Sequence, residues 1–455
     1  MKNNSIKYTY IFSFFLLIGL TGCDDMLEVD IPINELSSET VYASDPTAEA
    51  AVNGIYQSMV TVSYYNSLYI IPGQTSDELI LKTLLSNPYT TNEIIDTDSS
   101  ISTMWTEFYK TIYNANNVIE GISESKTLSA TKSKQWIAEA KFLRAYTYFY
   151  MTNIWGDVPL VLSTNVDETA LAPRNTQTEV YNQIIKDLEE ASADLPVDYT
   201  NYSDLRIRAT KWAAQALLAR VNLYLGKWTE ASTFATAVIN ETGTYKMITG
   251  LTSTNSPFIA DNKEAILQIP YYTVTYTYEG GALFSASGTY MLRNGNTLFE
   301  TGDDRKTNWT GSTVATDGLT YLIPRKYKNS YATTPVERST ILRLAELYLI
   351  RAEARVKLNN ITGAQEDINV IRNRALLAST TLTDPTQLLD LIALERQREL
   401  FAENGHRWFD LKRTGKIDDV LETTAGKTWS STDSLYPIPE STRRSNPFLT
   451  QNEGY

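Results

Sequence analysis

Apolar residues along much of this chain recur with the period of a helix that has one face against a core. Ala48, Ala51, Val52, Ile55 and Met59 follow the i, i+3, i+4, i+7 spacing, which predicts an amphipathic helix over residues 46–62. The same period predicts helices over 104–122, 131–154, 178–195 and 208–240. The helix over 131–154 runs into Trp155-Gly156-Asp157 with Pro159 just beyond, a combination that stops a helix. After a long interruption the period returns and predicts helices over 339–358, 362–375 and 386–404.

Two interruptions stand out. Residues 63–102 are rich in Tyr, Asn, Ser and Thr, with Pro72-Gly73 and Asn87-Pro88 as turn signals. Residues 241–336 are dominated by Gly, Thr, Asn, Ser and Tyr and keep no helical period. Within them, residues 271–278 alternate, with Tyr272, Val274, Tyr276 and Tyr278 on one face, and predict a strand. From Gly405 the pattern is mixed and includes the turn Tyr436-Pro437-Ile438-Pro439. Small residues flank two helix–turn–helix junctions: Ala219 to Gly226 and on to Ala231 and Ala235, then Ala352 and Ala354 to Gly363 and Ala364. They let paired helices approach closely, in the manner of tetratricopeptide (TPR) units without their regular spacing. The expected fold is therefore mostly α: a TPR-like helix-pair scaffold, long irregular loops and a few short strands. Residues 46–455 are read as a single domain with 63–102 and 241–336 as ligand-facing insertions.

The N-terminus carries a different pattern. Lys2 and Lys7 precede the apolar run 11–20, about half of the ~20 residues that a spanning helix requires but suited to a signal-peptide core. Leu20-Thr21-Gly22-Cys23 follows and resembles the lipobox of bacterial lipoproteins, in which the cysteine is lipidated and becomes the first mature residue. Residues 1–22 are read as a leader and 23–45, punctuated by Pro32, as an extended lipidated tether. Asp24-Asp25 resembles the surface-export signal of Bacteroidetes lipoproteins. No later segment is long and apolar enough to predict a span, so the membrane would be reached through the lipid on Cys23, with the protein facing the cell exterior.

Composition narrows the chemistry. With 40 Lys and Arg against 53 Asp and Glu, a net charge of −13 argues against a nucleic-acid partner. One His and one Cys cannot build a Cys/His metal cluster, and no EF-hand-like spacing appears, so neither metal nor cofactor is expected. Any His-based triad would have to use His406, which sits in Glu403-Asn404-Gly405-His406-Arg407-Trp408-Phe409-Asp410 without a nucleophile-elbow context. A structural role is expected for it. The adjacent carboxylates Glu189-Glu190, Asp303-Asp304 and Asp418-Asp419 read as solvated helix or turn positions, not as an acid/base pair. No catalytic residue is assigned.

Several segments taken together resemble the SusD family of outer-membrane nutrient-binding lipoproteins. They are Trp105-x-x-x-Tyr109-x-x-Ile112-Tyr113-Asn114-Ala115-Asn116-Asn117, and Ala138-Glu139-Ala140-Lys141-Phe142-Leu143-Arg144-Ala145-Tyr146 running to Trp155-Gly156-Asp157-Val158-Pro159. Pro173-Arg174, Arg343 to Glu353, Glu395 to Glu399, Gly405 to Arg413, Tyr436 to Glu440, Asn446-Pro447 and Gln451 to Tyr455 follow in order. The resemblance implies capture of a glycan, or in some members a peptide, and delivery to a SusC-like TonB-dependent β-barrel on which the lipoprotein sits as a lid. It supplies no ligand-contact motif.

Contact residues are therefore sought among aromatics, since sugar C–H faces stack on rings with an apolar body and a polar tip. The chain has 29 Tyr, 8 Trp and 13 Phe; those in helices suit a core, those in loops a binding surface. The expected ligand residues are Tyr64, Tyr65, Asn66, Tyr69 and Tyr89 in the first region, and Tyr272, Tyr276, Tyr278, Tyr290, Asn294, Asn296, Asp303, Arg305 and Trp309 in the second. A helical surface glycosidase would instead show turnover dependent on one carboxylate, and a protein-binding adaptor would show an exposed apolar groove.

Overall fold

The computed structural model describes residues 38–269, 277–284, 288–329 and 336–455. Its scaffold is a succession of helices: α1 Asp45–Ser58, α2 Ser99–Glu124, α3 Ala130–Trp155, α4 Gln177–Asp194, α5 Lys211–Tyr224, α6 Trp228–Ile239, α7 Leu344–Lys357, α8 Ile361–Arg374, α9 Pro385–Leu400 and α10 His406–Arg413. Each of α1 to α6 packs on the next, α6 packs on α7, and α7 packs on both α8 and α9. The helix–turn–helix junction expected within 208–240 is the pair α5–α6, turned at Gly226, whose φ of +66° favours glycine. The α7–α8 turn uses Asn359 at φ +60° and Asn360, whose side chain accepts from the Gly363 N–H at 3.0 Å.

Local chemistry explains the other boundaries. Asp98 caps α2 by accepting from the N–H groups of Ser100 (2.8 Å) and Ile101 (3.1 Å). Thr176 and Glu179 form a reciprocal capping box on α4. Helix α3 ends where Gly156 takes φ +74°. Its residues are buried almost continuously from Trp136 to Trp155, because α2 and α4 flank it and the C-terminal segment covers its end. There the Trp155 indole donates to Pro437 O at 3.1 Å, and the Asn452 amide donates to Trp155 O at 2.9 Å.

Strands are few. β1 Leu79–Leu81 pairs antiparallel with β3 Tyr290–Leu292, β2 Ala265–Ile269 with β6 Ser339–Arg343, and β4 Thr310–Val314 with β5 Thr320–Pro324. β6 corrects the expected helix over 339–358. Residues 339–343 are all buried and β-branched at Thr340 and Ile341, so their apolar content says nothing of period, and the ladder with β2 decides. The strand expected at 271–278 falls largely outside the described residues; Tyr278 stands at the start of a helical turn, Glu279–Leu283. Two further expectations change. The tether residues 38–41 form a helical turn before α1. Residues 63–75, expected as loop, belong to helical turns whose residues from Ser67 on are buried, with Pro72 at the start of the last one, where a missing N–H costs nothing.

The principal core runs from Tyr42 to Ile438, with Trp155 edge-on to Trp105 at 5.1 Å and to Phe108 at 6.0 Å. Buried arginine–carboxylate pairs fasten successive elements. Arg144 binds Asp187 through two 2.8 Å bonds between α3 and α4, Arg220 binds Glu346 between α5 and α7, and Arg351 binds Asp367 between α7 and α8. Under the β2–β6 ladder, Arg343 and Arg374 share Glu264 and Glu399. Burial opposes the charge on Glu399, but Arg374, Arg343 and Arg305 outweigh it and hold the carboxyl far below its usual range.

Candidate ligand-binding surface

The two tyrosine-rich regions meet in space. The β1–β3 ladder sets Leu81 opposite Tyr290. Beyond it, Lys82 N–H donates to Thr289 O (2.9 Å), Arg293 N–H to Glu78 O (2.8 Å), and the Thr316 hydroxyl to Thr83 O (2.9 Å). This seam brings Tyr89 and Tyr290, the expected contacts from opposite regions, into mutual electrostatic range, each partly exposed.

Tyr89 is held firmly. It sits on the short helix Pro88–Thr91, capped by Asn87, which accepts from the N–H groups of Tyr89 (3.0 Å) and Thr90 (2.9 Å). Its hydroxyl donates to Asp98 Oδ1 at 2.9 Å. Burial pushes its phenol up to about 12, so it stays neutral and able to donate at physiological pH. Ser100, next to the Asp98 cap, also meets the Tyr89 hydroxyl.

Beside Tyr89 lies a groove of about 110 Å³ lined by Ser63, Asn66, Ser67, Ile71, Ser99, Ser100 and Thr103. Asn66 lines it with its side-chain amide unpaired among the described residues, leaving donor and acceptor for a ligand. On the other side of the seam Asn294 and Asn296 are exposed, the latter donating to Thr320 O at 3.0 Å. Hydroxyls, amides and a tyrosine ring are suited to a neutral, hydroxyl-rich ligand. Among the described residues no cluster of His, Cys, Asp or Glu could hold a metal ion.

Five expected contacts are corrected by burial. Tyr64 packs edge-on against Phe108 at 5.1 Å, and Tyr69 lies in the same core. Asp303 is not a solvated turn residue: it accepts from the Arg305 N–H (3.0 Å) and guanidinium (2.9 Å). Arg305 is fully buried among Asp303, Glu395 and Glu399. Trp309 is fully buried edge-on to Phe258, with the Lys326 ammonium at 4.9 Å and the Arg374 guanidinium at 4.8 Å from its ring. Tyr278 is partly buried. Tyr65 belongs to the turn Val62–Tyr65, and Tyr272, Tyr276 and Cys23 lie outside the described residues. The groove's serines and Thr103 escaped the sequence reading; their only signal is the Asp98-Ser99-Ser100 helix start, a pattern shared by ordinary capped helices.

The candidate chemistry of His406 and the paired carboxylates also resolves. His406 is buried between the Arg220–Glu346 and Arg396–Asp410 ion pairs, and burial takes its imidazole down to about 4 against the pull of Glu346. It is neutral at physiological pH and walled off from solvent. Glu190 pairs with Lys141, and Asp418 accepts from the Trp429 indole at 2.8 Å.

Comparison with known proteins gives a consistent picture. A family model described as SusD-like, starch-binding and associating with the outer membrane matches residues 32–223, and one described as the SusD family matches 269–455. SusD-like protein P25 of Formosa agariphila is 25% identical over 97% of this chain and 98% of its own length. The starch-binding protein SusD of Bacteroides thetaiotaomicron is 27% identical over 74% of each chain. Among solved structures, a SusD superfamily protein of Bacteroides vulgatus superposes with a TM-score of 0.77 at 21% identity, covering 91% of this chain and 100% of that one. A laminarin-binding SusD-like protein superposes at 0.72 with 23% identity, covering 91% and 100%.

Proposed function

The chain belongs to the SusD family, and on that premise we propose that it is a non-catalytic, glycan-binding lipoprotein of the outer membrane. In this reading it is anchored by lipid on Cys23, faces the cell exterior, captures an oligosaccharide and delivers it to a SusC-like TonB-dependent β-barrel. The observation that carries the reading is the match of SusD-family models to both halves of the chain. The starch-binding and laminarin-binding relatives support a glycan as ligand. The surface of Tyr89, Tyr290, Asn66 and the groove hydroxyls supports a sugar through stacking and neutral hydrogen bonds. No helix among the described residues is long and apolar enough to cross a membrane, and the proposed attachment is the lipid on Cys23.

Capture for transport calls for modest affinity, about 10⁻³ to 10⁻⁶ M, so that release stays possible. The test is calorimetric titration of the protein with neutral oligosaccharides and with peptides, the mixtures then resolved by chromatography. Saturable glycan binding with the sugar recovered intact is the expected result. Cleaved sugar would overturn the non-catalytic reading, and binding of peptides alone would overturn the ligand class.

A further inference from the structure

A second pocket, of about 380 Å³, opens where α3, α4, α5 and α10 converge, and shares no lining residue with the serine-rich groove. Its wall includes Lys412, Lys227, Gln177, Thr178, Asn182 and Tyr224, and none of its lining residues is acidic. That is unusual in a chain with 53 acidic residues against 40 basic ones.

Lys412 is the distinctive member. Among the described residues it makes no ion pair; its ammonium donates to the backbone oxygen of Asn153 and lies 5.9 Å from the centre of the Trp408 ring. An ammonium carries three donors, so two remain for an occupant of the pocket. Lys227, exposed on the α5–α6 turn, also makes no ion pair among the described residues. The third cation, Arg413, is neutralised by Glu353 (2.7 and 2.8 Å) and Asp410 (2.7 Å). Tyr181 and Tyr224 are the other titratable groups on the wall, and the nearby Asp157 carboxylate accepts from the Gln177 N–H at 2.8 Å. One helix start, that of α4, and three helix ends, those of α3, α5 and α10, meet here; the three ends carry partial negative charge, and the full charges of Lys412 and Lys227 outweigh it on the wall.

We propose that this pocket is a second binding site, taking an oxyanion, a carboxylate or a sulfate ester, carried on a body the size of a sugar ring. The anion sits between Lys412 and Lys227, and the Gln177, Thr178 and Asn182 side chains meet the polar body. Burial takes the Lys412 ammonium down to about 7 with no carboxylate to restore it, so a bound anion supplies the counter-charge that the fold withholds. The site is independent of the neutral-glycan surface.

The test is calorimetric titration of the purified full-length protein with glucuronate, glucose 6-sulfate and uncharged glucose. Saturable binding of either anionic sugar, weakened about tenfold or more in Lys412→Gln, is expected. Whichever anion binds distinguishes carboxylate from sulfate. Because Lys412→Gln also alters the bond to Asn153, Lys227→Gln at its exposed position is measured in parallel and is expected to weaken binding several-fold. The proposal is overturned by silence with both anions, by equal affinity for glucose, or by anion binding that neither substitution weakens.

Discussion

Single residues decide what the ligand surface offers. Tyr89 combines a partly exposed ring with a hydroxyl fixed by Asp98, so Tyr89→Ala is expected to weaken oligosaccharide binding roughly five- to tenfold, with Tyr89→Phe retaining most of it; titration calorimetry reads both. Behind the same surface, Glu78 precedes β1 and burial pushes its carboxyl up to about 7. A carboxyl raised in the folded state binds its proton there more tightly than in the unfolded chain. Its stabilising contribution is complete below the ordinary value and fades as pH rises through 7. Urea unfolding at pH 5 and pH 8 is therefore expected to show Glu78→Gln gaining on the wild type at the higher pH. An equal difference at both would show that Glu78 is ionised throughout. At this scale burial divides the expected contacts. Tyr89, Tyr290 and Asn66, expected as contacts from their region and chemistry, are partly exposed. Trp309, Arg305 and Asp303 looked the same on the page yet are interior, because a tryptophan ringed by Lys326, Arg374 and Phe258 is recognisable only once those distant segments converge.

Helices α2 to α8 are held not only by apolar faces but by buried arginine–carboxylate clamps between them. Arg144 and Asp187 are the clearest, since both are buried and Arg144 also donates to Asn116 at 2.8 Å. Arg144→Ala leaves Asp187 buried without its cation and is expected to cost about 3–5 kcal/mol in urea unfolding. The double change Arg144→Met with Asp187→Leu should cost far less, because it strands no charge. Helix period, caps and stops were readable locally, which is why the boundaries of α2, α3, α4 and α8 fall within a few residues of those expected. β6 was not, since a strand buried on both faces carries no alternation and its partner β2 lies far away in the chain.

For the whole molecule, the reading rests on an anchor at one end and a binding surface assembled from both halves. Cys23→Ala is expected to move the protein from the membrane to the soluble fraction of fractionated cells while leaving glycan affinity unchanged. Retention in the membrane would argue against the lipid anchor.

The sequence by itself determined the helical scaffold, the acidic surface that disfavours nucleic acid, the lipobox-like Cys23 and the family, because period, caps, charge and motif order are local or additive properties of a chain. Only the tertiary structure decided which tyrosines face outward, that β1 and β3 bring Tyr89 and Tyr290 together, and that Lys412 and Lys227 share a pocket free of carboxylates. Exposure and juxtaposition depend on contacts between residues far apart in the chain, and no local pattern of amino acids encodes them.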